Sequence, residues 1–178
     1  MFERILVAID GSDSADKAFT VAADLAKQYG AELALVYAAT SDQVSEAERR
    51  LAESEHLADS EDLRTLKPLE GMATDGTYPL PNLLDHSHYV GLKVRMALGQ
   101  RLLARYREQA EEKGVKVISA DVEDGAPDDV IIDKAKAVGA DAIAMGSRGF
   151  SDLKGLVVGS TSHKVSSRAP CSVLTMAA

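Results

Sequence analysis

The chain has one cysteine, Cys171, so it cannot close a disulfide on itself, and a reducing compartment suits it. It has no excess of basic residues: 28 Asp and Glu outweigh 20 Lys and Arg, for a net charge of −8. Such a chain offers no positive footprint for nucleic acid or for an anionic membrane surface. No apolar run approaches the roughly 18 residues that a bilayer crossing needs. The first residues lack the charged-then-apolar design of a secretory leader. Two familiar phosphate-binding patterns are also missing, Gly-x-x-x-x-Gly-Lys-Ser/Thr and Gly-x-Gly-x-x-Gly. These absences leave an expectation of one cytoplasmic globular domain over residues 1–178, without nucleic-acid or membrane partners.

What is present is an alternation of short apolar runs and amphipathic stretches. Phe2–Ile9 is apolar on both faces from Ile5 onward, which suits a parallel strand covered by helices. Asp10-Gly11-Ser12 breaks the run, and Ser12 or Asp13 can cap a helix whose apolar positions include Ala15, Ala18, Phe19, Ala22 and Ala26. Gly30 closes that helix, and the strand Glu32–Ala38 completes a β-α-β unit. Later segments repeat the theme. A long helix is predicted over Lys93–Glu112, a strand over Val115–Ala120 and a turn at residues 123–127. A helix follows over Asp128–Val138, then a strand over Asp141–Met145, a helix over Gly159–Arg168 and a strand over Cys171–Met176. The fold class that follows is α/β, an open parallel sheet with helices on both faces.

Residues 39–92 read differently. Ser41–Leu66 has the composition of solvated amphipathic helices, and Lys67–Pro81 carries prolines and glycines typical of a loop. The stretch reads as an enlarged connection inside the domain. Asp85, His86 and His88 invite a metal, but the two histidines share a face only in a strand, and a surface loop is the expected setting. Cys171, in an apolar run, reads as an inert thiol.

The segment that can carry function runs from Asp141 to Pro170. An apolar strand stops at Met145-Gly146, Gly149 follows, and Gly159-Ser160-Thr161 opens a helix. A strand, a glycine-bearing loop and a helix N-terminus together direct backbone N–H groups and the positive end of a helix dipole at one point, which suits a phosphate. Glycine lets an anion approach the backbone. Ser160 and Thr161 add hydroxyls or serve as the N-cap. Asp10, at the carboxyl end of the first strand, can accept bonds from ribose hydroxyls or simply shape an Asx turn.

The spacing Gly146-x2-Gly149-x9-Gly159-Ser160 resembles the nucleotide-binding signature of the universal stress protein family, in its ATP-binding branch. So do the first strand ending at Asp10, the Gly125-x-Pro127 turn with Ile131 downstream, and the APCSVL finish. These motifs cover about residues 2–38 and 93–177. The resemblance implies a Rossmann-like, doubly wound, five-stranded sheet in the order 3-2-1-4-5, and a homodimer formed through the last strand. It implies that ATP is bound with Asp10 near the ribose, Ala8 and Ala38 near the adenine, and Met145 and Gly146 on the nucleoside side. Gly149, Gly159, Ser160 and Thr161 would receive the phosphates, and Arg148 would screen their charge or stand in solvent. Mg²⁺ would accompany a triphosphate through its oxygens and waters. Alanine at 38, where the family often has a larger aliphatic residue, implies a looser base pocket. The function implied is a stress-response binding module with an unidentified protein partner. The alternative is a slow ATPase, or an autophosphorylating or adenylyl-transferring enzyme on the same fold. No general base is apparent near the motif, so the enzyme status stays open with binding preferred.

Overall fold

The computed structural model describes residues 2–40, 80–147 and 159–177, with the backbone alone for residues 80–90. The chain forms β1 (Arg4–Ala8), α1 (Asp13–Tyr29), β2 (Glu32–Ala39), α2 (Leu80–Glu112), β3 (Val117–Asp124), α3 (Pro127–Val138), β4 (Ala142–Gly146), α4 (Ser160–Arg168) and β5 (Ser172–Met176). All strand pairs are parallel, in the order β3-β2-β1-β4-β5. This is the doubly wound α/β sheet expected from the sequence.

The central strand explains the layering. Ile5, Leu6 and Val7 are each 0 % exposed, so successive side chains of β1 need cover on opposite faces. Ile5 and Val7 join Leu33, Leu35 and Ala144 beneath Phe19 and Ala22 of α1 and Leu103 and Tyr106 of α2. Leu6 joins Val36, Ile143 and Met145 beneath Val130 and Ile131 of α3 and Val165 of α4. The order of elements accounts for this split. From β1 the chain winds outward through β2 to β3, then returns to the other side of β1 and winds through β4 to β5. With crossovers of one hand, that reversal transfers the later helices to the opposite face.

Local signals set most boundaries. Ser12 caps α1 by accepting from Ala15 N, and Gly30 ends it at φ 67°. Pro127 stands in the first turn of α3, where its missing N–H costs nothing. Two expectations change. The helix expected from Lys93 begins at Leu80, so the stretch from Asp85 to Tyr89 is helical rather than a surface loop. Pro81, read as loop chemistry, lies in the first helical turn, where proline is tolerated. The third strand begins later than expected and runs to Asp124, so the expected turn at Glu123-Asp124 is strand. Its backbone pairs with β2 as far as Ala39↔Asp124, and this ladder overrides the low strand propensity of the acidic residues. The readings for residues 41–66 and 67–79 lie outside the described residues.

Candidate functional site at the carboxyl ends of β1 and β4

The two strands at which the winding reverses lie side by side, with Val7 paired to Ala144. Both chains therefore leave the sheet together, and in open α/β sheets this is the ligand-binding crevice. From β1 comes Asp10. Its Oδ1 accepts from Ser12 N at 2.9 Å and from Ser12 Oγ at 2.6 Å. The Asx turn and the carboxylate at the strand end are thus both realised. Gly11 turns the chain at φ 82°, a conformation that favours glycine. Burial pushes the Asp10 carboxyl up from its ordinary value, while the Ser12 hydroxyl and amide pull it down. A carboxylate held half out of water with one oxygen committed is suited to accepting a hydroxyl proton in a hydrogen bond.

From β4 come Met145, which is buried, and Gly146, which is partly exposed. Ala8, Ala38 and Met145 share the α3/α4 face of the sheet, and both alanines are partly exposed there. The structure thus places Ala8 and Ala38, expected near the adenine, on the same face as Met145, expected on the nucleoside side. Arg148 and Gly149 lie outside the described residues.

The start of α4 departs from expectation in one respect. Gly159, not Ser160 or Thr161, is the N-cap, with φ −71° and ψ 155°, and among the described residues no side chain caps the helix. Glycine supplies no capping oxygen, so the N-cap side chain accepts from neither first-turn amide, Ser160 or Thr161. The Gly159 N–H is already used: it donates to the Ser147 carbonyl at 2.7 Å. Its role is to set the helix start rather than to offer a donor.

Two serines that the motif reading passed over build this junction. Ser147 N donates to Met176 O at 2.7 Å, tying the end of β4 to β5. Ser162, 2 % exposed, donates from Oγ to Ser147 O and to Gly159 O, each at 3.0 Å. Ser147 is itself 8 % exposed, and among the described residues its Oγ has no hydrogen-bond partner. A buried hydroxyl without a partner costs about 1–3 kcal/mol. No sequence signal distinguishes these serines from surface ones, because the bonds close across the strand-to-helix connection.

A second attachment holds α4 to α3. Asp128 is 5 % exposed and accepts from Lys164 Nζ at 3.2 Å and Arg168 Nη1 at 2.8 Å. Arg168 Nη2 also reaches Asp129 at 2.7 Å. Elsewhere, a cavity of about 340 Å³ between α2 and β3, lined by Met96, Leu103, Arg107, Asp121 and Val122 among others, contains none of the expected site residues. Cys171 is partly buried beside the second core cluster, and burial raises its thiol pKa, which suppresses the reactive thiolate. Among the described residues no helix is long and apolar enough to cross a membrane, and no group of three or more His, Cys, Asp or Glu could hold a metal.

Fold and site together define a doubly wound α/β protein with an uncapped helix N-terminus and a carboxylate at its switch point. The family model described as universal stress protein family matches residues 1–176, and the chain belongs to that family. The match includes the middle stretch that the motifs alone do not cover. The chain is 33% identical over 174 residues to universal stress protein YxiE of Bacillus subtilis, covering 98% of each. It is 31% identical over 176 residues to stress response protein NhaX of the same organism, covering 97% of this chain and 96% of the relative. Among solved structures, UspA from Lactobacillus plantarum superposes with a TM-score of 0.69 at 23% identity, covering 98% and 97% of the two chains. A universal stress protein in complex with cAMP gives 0.58 at 21% identity, covering 98% and 97%. A family member from Arabidopsis thaliana with AMP bound gives 0.56 at 19% identity, covering 98% and 90%.

Proposed function

We propose that this protein is a cytoplasmic nucleotide-dependent binding module that takes an adenine nucleotide, ATP with Mg²⁺ in the cell, at the carboxyl ends of β1 and β4. The observation that carries the reading is that Asp10 follows β1 while the start of α4 is bonded to the end of β4, the strand paired beside β1 where strand order reverses. Asp10 faces the ribose, Ala8 and Ala38 flank the adenine, and Met145 and Gly146 support the nucleoside. Gly149, Ser160 and Thr161 receive phosphate oxygens, Gly159 sets the helix start, and Arg148 screens phosphate charge. The cAMP and AMP held by two structural neighbours support an adenine nucleotide as the ligand class.

Binding, rather than turnover, is the activity. Asp10 Oδ1 already accepts two hydrogen bonds from Ser12, which makes it a poor base for activating water. Occupancy would alter the surface presented to a protein partner, with β5 pairing across a homodimer as the exposed sheet edge invites. The test is titration of purified protein with ATP, AMP and cAMP by calorimetry, with mass spectrometry of any nucleotide that copurifies. At least one adenine nucleotide is expected to bind in the micromolar range, and Gly159→Val to abolish that binding while the sheet stays folded. Absence of binding by all three ligands overturns the reading. Steady accumulation of ADP over hours, lost on Asp10→Asn, would replace it with the ATPase alternative.

A further inference from the structure

β3 is an edge strand: among the described residues it has a neighbour only on the β2 side. Its ladder ends at the pair Ala39↔Asp124, and the next N–H, of Gly125, donates to Ala39 O. In a parallel ladder one residue's N–H and C=O point to the same side, and those of the next residue point to the other. Counting back from Gly125, the main-chain groups of Ala120, Val122 and Asp124 point away from the sheet, without hydrogen-bond partners among the described residues. Side chains alternate in the same way. Ala120 and Val122 pack toward α2, whereas Asp121 and Glu123 turn to Lys134 of α3.

A cavity of about 340 Å³ opens between α2 and β3 on the side that Ala120 and Val122 face. Met96, Ala120 and Val122 on its wall are only half-buried. The outer strand is thinly covered because α2 presses on β2, with Gly99 directly over Tyr37. The cavity has a charge at each end. Arg95 bonds Thr40 at the carboxyl end of β2, and α2 then runs down to enter the amino end of β3. Arg107 therefore stands toward the amino end of β3 and Asp124 at its carboxyl end. Both are exposed, and neither side chain makes an ion pair among the described residues. The free main-chain row and the cavity are separate observations, and an added peptide strand uses both.

We infer that the β3 edge and α2 form a docking groove for an extended segment of another protein, added antiparallel to β3. An apolar side chain of that segment enters the cavity, a basic one meets Asp124 and an acidic one meets Arg107. The groove shares no residue with the nucleotide site and stands without it. Charge argues against a second copy of this chain as the occupant. Two β3 edges paired symmetrically about Val122 would set Asp121 of each copy opposite Glu123 of the other, in chains of net charge −8.

The test uses the full chain and a fluorescein-labelled peptide, Thr-Lys-Thr-Leu-Thr-Glu-Thr, followed by anisotropy. Saturable binding is expected, and it should be lost when the leucine nitrogen is methylated, because in this pairing that N–H donates to Val122 O. Ala104→Trp fills the cavity from an exposed helix position and is expected to weaken binding at least tenfold. Arg107→Glu replaces an attraction by a repulsion and is expected to weaken it about tenfold. A peptide carrying Lys in place of its Glu should recover affinity for that variant. Both variants change exposed positions and are expected to melt as wild type does, which separates lost docking from lost folding. No saturable binding to wild type overturns the inference, as does equal affinity for the methylated peptide. A dimer of the free protein that dissociates on Ala104→Trp, seen by sedimentation, also overturns it and assigns the groove to a second copy.

Discussion

Gly99 gives the sharpest test of the packing beneath the site. It is buried on α2, directly over Tyr37 of β2. A Cβ added there would fall 2.5 Å from Tyr37 Cδ1, 2.9 Å from Cγ and 3.0 Å from Cε1. Ordinary carbon contacts are about 3.5–4.0 Å, so the ring or the helix must give by about 1 Å. Tyr37 is 6 % exposed and packed among core neighbours, so the ring cannot swing into solvent. Overpacking of this kind costs about 1–3 kcal/mol. Alanine is a better helix residue than glycine by about 1 kcal/mol, which opposes that cost. The net for Gly99→Ala is a loss of about 0–2 kcal/mol. For Gly99→Val the propensity gain shrinks and two more methyl groups enter, so the loss rises to about 3 kcal/mol. Urea unfolding, read as a midpoint shift at constant slope, measures both. In a Tyr37→Ala background the obstruction is gone, and Gly99→Ala should then stabilise relative to that background. If Gly99→Ala stabilises the wild-type protein by the full propensity gain, the close approach of α2 to β2 described here is wrong.

Asp10→Asn keeps an oxygen for Ser12 but removes the charge. Burial raises the folded pKa above its ordinary 3.8, so the ionised form costs stability above that folded value, and the cost disappears below the unfolded one. The variant should therefore unfold at higher urea than wild type at pH 7, with the gap closing as pH falls through the raised folded pKa, while AMP affinity drops at least tenfold. Asp128→Ala should cost about 1–2 kcal/mol rather than the larger penalty of a fully buried pair. Lys164 and Arg168 are 57% and 50% exposed and can return to water, and the loss should shrink in high salt. Tyr106 donates its hydroxyl to Asp16 beneath the tilted ring of Phe19, centroids 4.7 Å apart. Tyr106→Phe should cost about 1 kcal/mol by thermal unfolding, because Asp16 can be rehydrated.

How much of this was readable from sequence depends on the range of the interaction concerned. β1, β2 and β4 announce themselves, since a strand covered on both faces must be apolar at every position. Gly30 and Gly139 mark helix ends because the left-handed conformation is local. β3 is legible only in its first half. Asp121 lies past the expected strand and Glu123 in the expected turn, yet both are paired with Lys134, at 2.8 and 3.1 Å, from a helix that comes later in the chain. The start of α2 was hidden by Pro81, which reads alike in a loop and in a first helical turn. At the site, the glycine spacing and Asp10 were visible as motifs. Ser147, Ser162 and Asp128 were not, because each acquires its role from partners 12 to 40 positions away. The capping of α4 was misassigned for a related reason. Ser160 and Thr161 are good capping types, but the bond from Gly159 N to Ser147 O places the cap one residue earlier.

The slender attachment of α4 carries a consequence for motion. Of its nine residues only Ser162 and Val165 are buried, so the last helix rests on one apolar side chain, two serine bonds and an ionic clasp. Its amide protons should exchange with heavy water sooner than those of α1, whose seven buried positions bind it to the sheet. An anion seated on the first turn would slow that exchange, so deuterium uptake along this one helix would report occupancy even where the rest of the molecule stays silent.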